Sequence, residues 1–302
     1  MTVQFDLCGS GDPGRGLLGT GMPLLAGDSH EALATATAGP LHTGSLWTWR
    51  VAGGLAGYAE LESPADLEEA ARVVYAEIVR TAGHLNLYRL WNFVPDINGA
   101  GRDGLENYRA FCLGRSVAFE AALGLGFTRA LPAASAVGSS DGRLRVAFLA
   151  GDSPVRHFEN PKQVPAYEYP PEHGPRPPSF SRATVVLGAG TQDCYISGTS
   201  AVLGHETVSP GDTKGQLACT MDNLRLISEA SGMGTGLGVG RRCRRHFKVY
   251  LRNPEDLPIA SESLAAGGIV TPGDRVSYLC AAICRSALNV EIEVAIREAD
   301  SA

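Results

Sequence analysis

No run of about eighteen consecutive apolar residues occurs in this chain of 302 residues, so nothing in it reads as a membrane-spanning helix. A basic surplus is also missing. Twenty-six Lys and Arg face 32 Asp and Glu, and the resulting net charge of −6 argues against broad nucleic-acid affinity. The opening MTVQFDLCGSGDPGRG lacks the positive flank and apolar core of a secretory signal. The seven cysteines (Cys8, Cys112, Cys194, Cys219, Cys243, Cys280 and Cys284) include no CxxC pair, and the seven histidines form neither HxH nor HExxH. These absences predict reduced thiols in a cytoplasmic protein, with no metal.

The glycine-rich stretches carry no phosphate cradle either. Gly232 to Gly240 has GxGxGxG spacing, but a helix is expected before it and the cluster Arg241-Arg242-Cys243-Arg244-Arg245 after it, the reverse of a dinucleotide-binding turn. Gly9 to Gly14 is not followed by Gly-Lys-Ser/Thr, which a Walker loop requires. Both read as loops.

What is present is a repeated α/β grammar. LWTWRVAG and LAGYAEL flank a Gly53-Gly54 turn and predict a hairpin over 44–61. Ser63, Pro64 and the acidic residues after them predict a helix, capped by Ser63 and running to Ala82. A strand over 85–94, a helix over 106–123 and a strand over 143–150 follow. The stretch 151–180 holds eight prolines without periodicity and reads as a connector. Beyond it come strands at 183–187 and 193–197, a helix from Asp212 to Ala230, a strand at 247–252, a helix at 254–266, and closing strands at 275–281 and 290–296. The expected organisation is an N-terminal α/β domain (1–150), the connector, and a C-terminal domain (181–302), each built on a mixed sheet.

The last strand carries the chemistry. Val290, Ile292 and Val294 alternate with Glu291 and Glu293, so one face buries three β-branched side chains and the other presents two carboxyls roughly 6.5–7 Å apart. In a closed pocket, one of two such carboxyls can be held protonated near neutral pH and act as a general acid. Facing water, the same pattern is only a solvated edge. Strand geometry treats the two residues alike.

Several segments together resemble the chorismatases: Tyr88 to Asn98 (YRLWNFVPDIN), Glu106 to Arg115 (ENYRAFCLGR), Pro177 to Ala183 (PPSFSRA), Ile196 to Glu206 (ISGTSAVLGHE), Lys248 to Arg252 (KVYLR), Cys284-Arg285 and Val290 to Glu293. The second half also resembles the broader Rid (YjgF-like) superfamily in its Ser-Gly strand and closing Glu-Ile-Glu strand. The resemblance implies two YjgF-like, chorismate-mutase-like domains packed in one chain, an enzyme that releases pyruvate from chorismate, no cofactor, and a monomer acting on this small molecule without nucleic-acid or membrane partners. It assigns the general acid to Glu291, with Glu293 as its charged neighbour. Carboxylates on the substrate call for arginine, whose planar fork binds them bidentately. Arg115, Arg285 and Arg182 are the candidates, with Tyr108 two helical turns before Arg115 on the same face.

The resemblance divides by product. Cys284, with Ser197, Gly198 and Thr199 near the same pocket, points to the type that forms 3-hydroxybenzoate through an arene-oxide intermediate. The hydrolytic type, which leaves a dihydroxycyclohexadiene acid, is the alternative, followed by a Rid-type imine deaminase and a silent aromatic-acid binder. Phe180 stands where Rid proteins carry a pocket tyrosine. Residues before about Gly83 match little of the family, and Cys280 replaces an expected charge, a change that would alter the pocket wall.

Overall fold

The computed structural model describes residues 1–101 and 104–298. Short strands open the chain: β1 (Thr2–Asp6), β2 (Gly11–Asp12), β3 (Leu17–Gly19), β4 (Leu24–Gly27), β5 (His30–Thr35) and β6 (Leu41–Thr43). A hairpin of β7 (Leu46–Val51) and β8 (Gly54–Glu62) leads through α1 (Leu67–Ala82), β9 (Asn86–Pro95), α2 (Asn107–Leu123) and β10 (Ala133–Ser139) to β11 (Arg143–Gly151). An edge strand, β12 (Val155–Phe158), precedes the second hairpin of β13 (Ala183–Leu187) and β14 (Gln192–Thr199). The small β15 (Val202–Leu203) and β16 (Glu206–Thr207) follow. The chain then runs through α3 (Thr213–Ala230), β17 (Cys243–Leu251), α4 (Leu257–Ala266) and β18 (Arg275–Cys280) to β19 (Val290–Glu298).

The repeat expected from the sequence is present in the topology. One sheet runs β10-β9-β11-β8-β7-β6, the other β12-β13-β14-β19-β17-β18-β4. In each, a hairpin, a helix, a strand, a second helix and a parallel neighbour (β9 with β10, β17 with β18) are closed by an antiparallel strand slotted into the middle (β11 or β19). The fold is thus mixed α/β, with a further four-stranded sheet, β2-β3-β1-β5, built from the N-terminal residues.

The layers explain where polar groups can hide. α1 and α2 cover one face of the first sheet through Val74, Tyr75, Ile78, Phe111 and Phe119, and α3 and α4 cover the second through Leu217, Leu224, Ile227 and Leu264. The other faces of both sheets meet in a shared core containing Trp91, Phe93, Tyr195 and Tyr250. Alternation does the rest. Val290, Ile292, Val294 and Ile296 point to the α3–α4 side, each burial contributing roughly 1.5–3 kcal/mol. Glu291 and Glu293, both 3% exposed, therefore point between the sheets rather than into solvent.

Three local expectations change. The cap of α1 is Asp66, whose carboxylate accepts the Glu69 N–H at 3.1 Å, not Ser63. Ser63 sits at φ 38° and donates its N–H to the Gly142 carbonyl, prolonging the β8–β11 ladder past the point where a helix could start. The proline-rich stretch read as a connector contains β12, paired to β13, before it turns through two short 3₁₀ segments, Ala166–Glu168 and Pro171–His173. In addition, β4 joins the second sheet beside β18, so residues before 83 contribute to both halves. Edge strands of four residues leave too short a pattern to read. Among the described residues no helix is long and apolar enough to cross a membrane.

Candidate active site

A cleft of about 780 Å³, open mouth included, lies on the seam between the two halves. From α2 and its cap come Glu106, Tyr108, Arg109 and Arg115; β10 adds Ala134 to Ala136. The proline-rich stretch contributes Tyr169, His173 and Phe180, Arg182 stands just before β13, and Gly198 and Ser200 come from the end of β14 and the residue after it. Cys284, Arg285 and Leu288 close the wall from the loop before β19, and Glu291 stands on β19 itself. The seam is stitched at its base. Ala134 N–H donates to Ser197 Oγ at 2.9 Å, Ser197 Oγ donates to the Ser181 carbonyl at 2.6 Å, and Gly198 N–H donates to Ser135 Oγ at 3.0 Å.

The two carboxyls of β19 have opposite fates. Glu293 is buried, which alone would raise its pKa, but Lys248 Nζ at 2.7 Å and Arg89 Nη2 at 2.8 Å hold it down at about 2. Trp91 Nε1 at 2.8 Å and the Ser135 hydroxyl donate to it as well. Lys248 is shared with Glu31 of β5 at 2.6 Å, so two carboxylates and two cations balance. Glu291 receives no cation within ion-pair distance among the described residues. Burial, then the charge of Glu293, pushes its pKa up to about 8. Its Oε2 meets Ser200 Oγ at 3.4 Å and Cys284 Sγ at 3.9 Å, while its buried Oε1 has no hydrogen-bond partner among the described residues. The result is a neutral carboxylic acid at the cleft wall with one oxygen uncommitted.

Cations surround the rest of the cleft. Arg115 is 1% exposed, lies over the Phe111 ring at 5.2 Å and the Tyr75 ring at 5.9 Å, and has no carboxylate within ion-pair distance among the described residues. Its Nε is buried without a hydrogen-bond partner among the described residues. A buried guanidinium so poorly paired is a standing receptor for an anion. The backbone brings it there because Gly114 lets α2 press against α1: a Cβ at that glycine would lie 2.8 Å from the Glu68 carbonyl carbon. Arg182 donates to Tyr169 Oη at 2.7 Å, with Glu159 at 3.9 Å. Arg285 reaches the His205 carbonyl at 2.8 Å and lies over the Tyr169 ring.

Of the residues expected from the sequence, Glu291, Cys284, Arg115, Tyr108, Arg285, Arg182 and Gly198 all line the cleft. Ser197 and Thr199 do not. The Ser197 hydroxyl is bound in the seam and that of Thr199 donates to the Ser197 carbonyl at 2.9 Å, so the polar group offered here is Ser200. Cys280 is not a wall residue; its thiol lies 3.9 Å from the Arg252 carbonyl. Sequence reading missed Ser135, Ser200 and the group that ionises Glu293. Arg89, Trp91 and Lys248 stand inside the chorismatase-like segments, on strand faces opposite Leu90 and Val94 in one strand and Phe247, Val249 and Leu251 in the other, a signal for an inward polar cluster. Arg252 and Asn98 also lie in those segments. Arg252 donates to Asn98 Oδ1 at 3.1 Å and to the Arg285 carbonyl at 3.0 Å, holding the loop that presents Cys284.

With this geometry in place, known proteins supply the comparison. Residues 34–150 match the family described as Chorismatase FkbO/Hyg5-like, N-terminal. A 3-hydroxybenzoate synthase from Streptomyces hygroscopicus is 40% identical over 237 residues, covering 74% of this chain and 68% of the relative. A chorismatase from Streptomyces rapamycinicus is 35% identical over 266 residues, covering 83% and 77%. A chorismatase crystal structure superimposes with a TM-score of 0.76 at 32% identity, over 86% of this chain and 79% of that one.

Proposed function

The chain belongs to the chorismatase family, and on that premise we propose that it converts chorismate to 3-hydroxybenzoate and pyruvate. The observation that carries the reading is Glu291: a buried acid with a pKa of about 8 whose Oε1 has no hydrogen-bond partner among the described residues, in a cleft lined by four arginines.

Chorismate brings a ring carboxylate and an enolpyruvyl ether bearing a second carboxylate. In this reading Arg115 binds one of them, and Arg182 and Arg285 bind the other. Glu291 gives its proton to the enolpyruvyl methylene, making the side chain an oxocarbenium-like leaving group. The neighbouring ring hydroxyl oxygen attacks the carbon bearing the ether, the ether bond breaks, and pyruvate departs. The hydroxyl proton returns to the Glu291 carboxylate, and the arene oxide left behind isomerises to 3-hydroxybenzoate. No water is consumed, which suits a wall of Cys284, Leu288 and Phe180. The reading carries with it a cytoplasmic monomer without a cofactor.

Incubation of the purified chain with chorismate, with pyruvate followed and aromatic products resolved by chromatography, tests it. Pyruvate with equimolar 3-hydroxybenzoate is expected. Pyruvate with a non-aromatic diol would make the chain a hydrolytic chorismatase, and no pyruvate above the spontaneous background would end the enzyme reading.

A further inference from the structure

Histidines scattered in the sequence come together at the rim of the cleft. His173 closes the 3₁₀ turn Pro171–His173, and His205 sits in the turn between β15 and β16. His173 Nε2 stands 3.0 Å from His205 Nδ1, and Glu172 Oε1 lies 3.8 Å from the first nitrogen and 3.6 Å from the second. All three donor atoms lie within 4.8 Å of one another. A fourth donor, Glu206 Oε1, is 3.3 Å from His205 Nδ1.

We propose that Glu172, His173 and His205 form a binding site for a divalent transition metal of the zinc class, with Glu206 beside it, on the rim of the substrate cleft.

The donor set is the first reason. Two imidazole nitrogens and a carboxylate are the ligands that zinc, cobalt(II) and nickel(II) accept, and three protein donors leave a position open. The second reason is that the backbone fixes the donors before any metal arrives. Val164 N–H donates to the Gly204 carbonyl at 2.9 Å and Gly204 N–H to the Lys162 carbonyl at 2.8 Å, tying the turn of His205 to the proline-rich stretch. Arg285 grips the His205 carbonyl at 2.8 Å and Thr207 Oγ1 at 3.2 Å. The Tyr169 ring packs against both imidazoles, at 5.0 Å from His173 and 6.4 Å from His205.

The hydrogen bond between the rings leaves a lone pair for a metal. At 3.0 Å the two nitrogens share a single N–H, so at least one ring is already a lone-pair donor. Arg285 is the cation against the pair, its Nη1 on the His205 carbonyl. The Glu172 and Glu206 carboxylates offset the guanidinium. With bonds of about 2.0–2.1 Å to each nitrogen, the ion takes the place of the shared proton after the rings part by a few tenths of an ångström. His173 also lines the cleft, so the ion and the substrate meet at one wall.

Cobalt(II) titrated into the whole chain at pH 7.5 without substrate tests the site independently of the chorismate reading. One equivalent is expected to give visible d–d bands of nitrogen and oxygen ligation, without the thiolate charge-transfer band that the free cysteines would produce. His205→Ala and His173→Ala should each weaken binding at least roughly tenfold, and Glu172→Gln less, with the circular dichroism of all three unchanged. Thiolate charge transfer, or an affinity unmoved by both histidine substitutions, would overturn the proposal.

Discussion

A Cβ built on Gly198 would lie 2.6 Å from Cδ of Glu291 and closer still to its Oε1. The pairing of β14 with β19 slips between Ile196 and Thr199, and the bulge brings the Gly198 backbone against the carboxyl that the chemistry needs. Because the obstructed atoms are the end of a flexible side chain, Gly198→Ala is expected to fold with a near-normal melting temperature. It should turn over roughly 10- to 100-fold more slowly, because the acid has moved by about an ångström. Unchanged turnover would mean that the Glu291 position is not critical.

The pH dependence follows from Glu291. Turnover requires its protonated form, so kcat/KM should hold steady below about pH 8 and fall tenfold per unit above it. Glu291→Gln removes the proton source and should cost roughly 10²–10⁴ in rate. The same substitution should raise stability, and the sign is fixed by linkage. With the folded pKa above the ordinary carboxylate value, the native state keeps a proton that the unfolded chain releases. Wild-type stability therefore falls as pH climbs from the usual carboxylate range to about 8. The Gln variant carries no such dependence, and its melting temperature should exceed the wild type's by most near pH 8. A Gln variant with wild-type turnover would remove Glu291 from the mechanism.

Period-2 alternation is a strong signal, and it made much of the site legible: Val290, Ile292 and Val294 are enough to put Glu291 and Glu293 together on the opposite face of one strand. What that face met was not legible. A strand pattern reports that two faces differ, not that the second is covered by another sheet, and only that cover turns a solvated edge into a buried acid. The difference between the carboxyls was hidden for the same reason, since Lys248, Arg89 and Glu31 lie up to about 260 positions away in sequence. The helices, by contrast, were read nearly to the residue, failing where the Ser63 backbone continued a ladder and where Pro254–Asp256 formed a 3₁₀ turn ahead of α4.

The N-terminal sheet reaches the acid through Glu31. Lys248 Nζ lies between Glu31 at 2.6 Å and Glu293 at 2.7 Å, and with Arg89 the four charges cancel. Glu31→Gln leaves one positive charge in excess, which favours the ionised form of Glu291 and moves the high-pH limb of the rate profile to lower pH, by about one unit or less. Lys248→Met strands two buried carboxylates and should cost about 3–5 kcal/mol of stability by denaturant titration. If Glu31→Gln leaves the alkaline limb in place, the charge balance does not set the acid.

Cys284 should govern product rather than rate. Its Sγ is 3.9 Å from Glu291 Oε2, and burial, then the neighbouring carboxyl, raises the thiol pKa so that it stays protonated and apolar in character. Cys284→Ala opens space for a water beside the acid, and chromatography should show 3-hydroxybenzoate giving way in part to the diene diol. Unchanged product ratios would reduce Cys284 to a packing role.

Arg115 separates binding from chemistry. Its guanidinium is buried, lies over the Phe111 ring and lacks an acidic partner among the described residues, which leaves its Nε for an anion in the cleft. Arg115→Lys keeps the charge but loses the planar, two-point grip on a carboxylate. A hydrogen bond to a charged group contributes about 1.5–3 kcal/mol, so KM for chorismate should rise roughly ten- to a hundredfold while kcat changes far less. Steady-state kinetics on the purified variant decides it. A fall in kcat at constant KM would place Arg115 in the stabilisation of the transition state instead, and no change in either would leave substrate binding to Arg182 and Arg285.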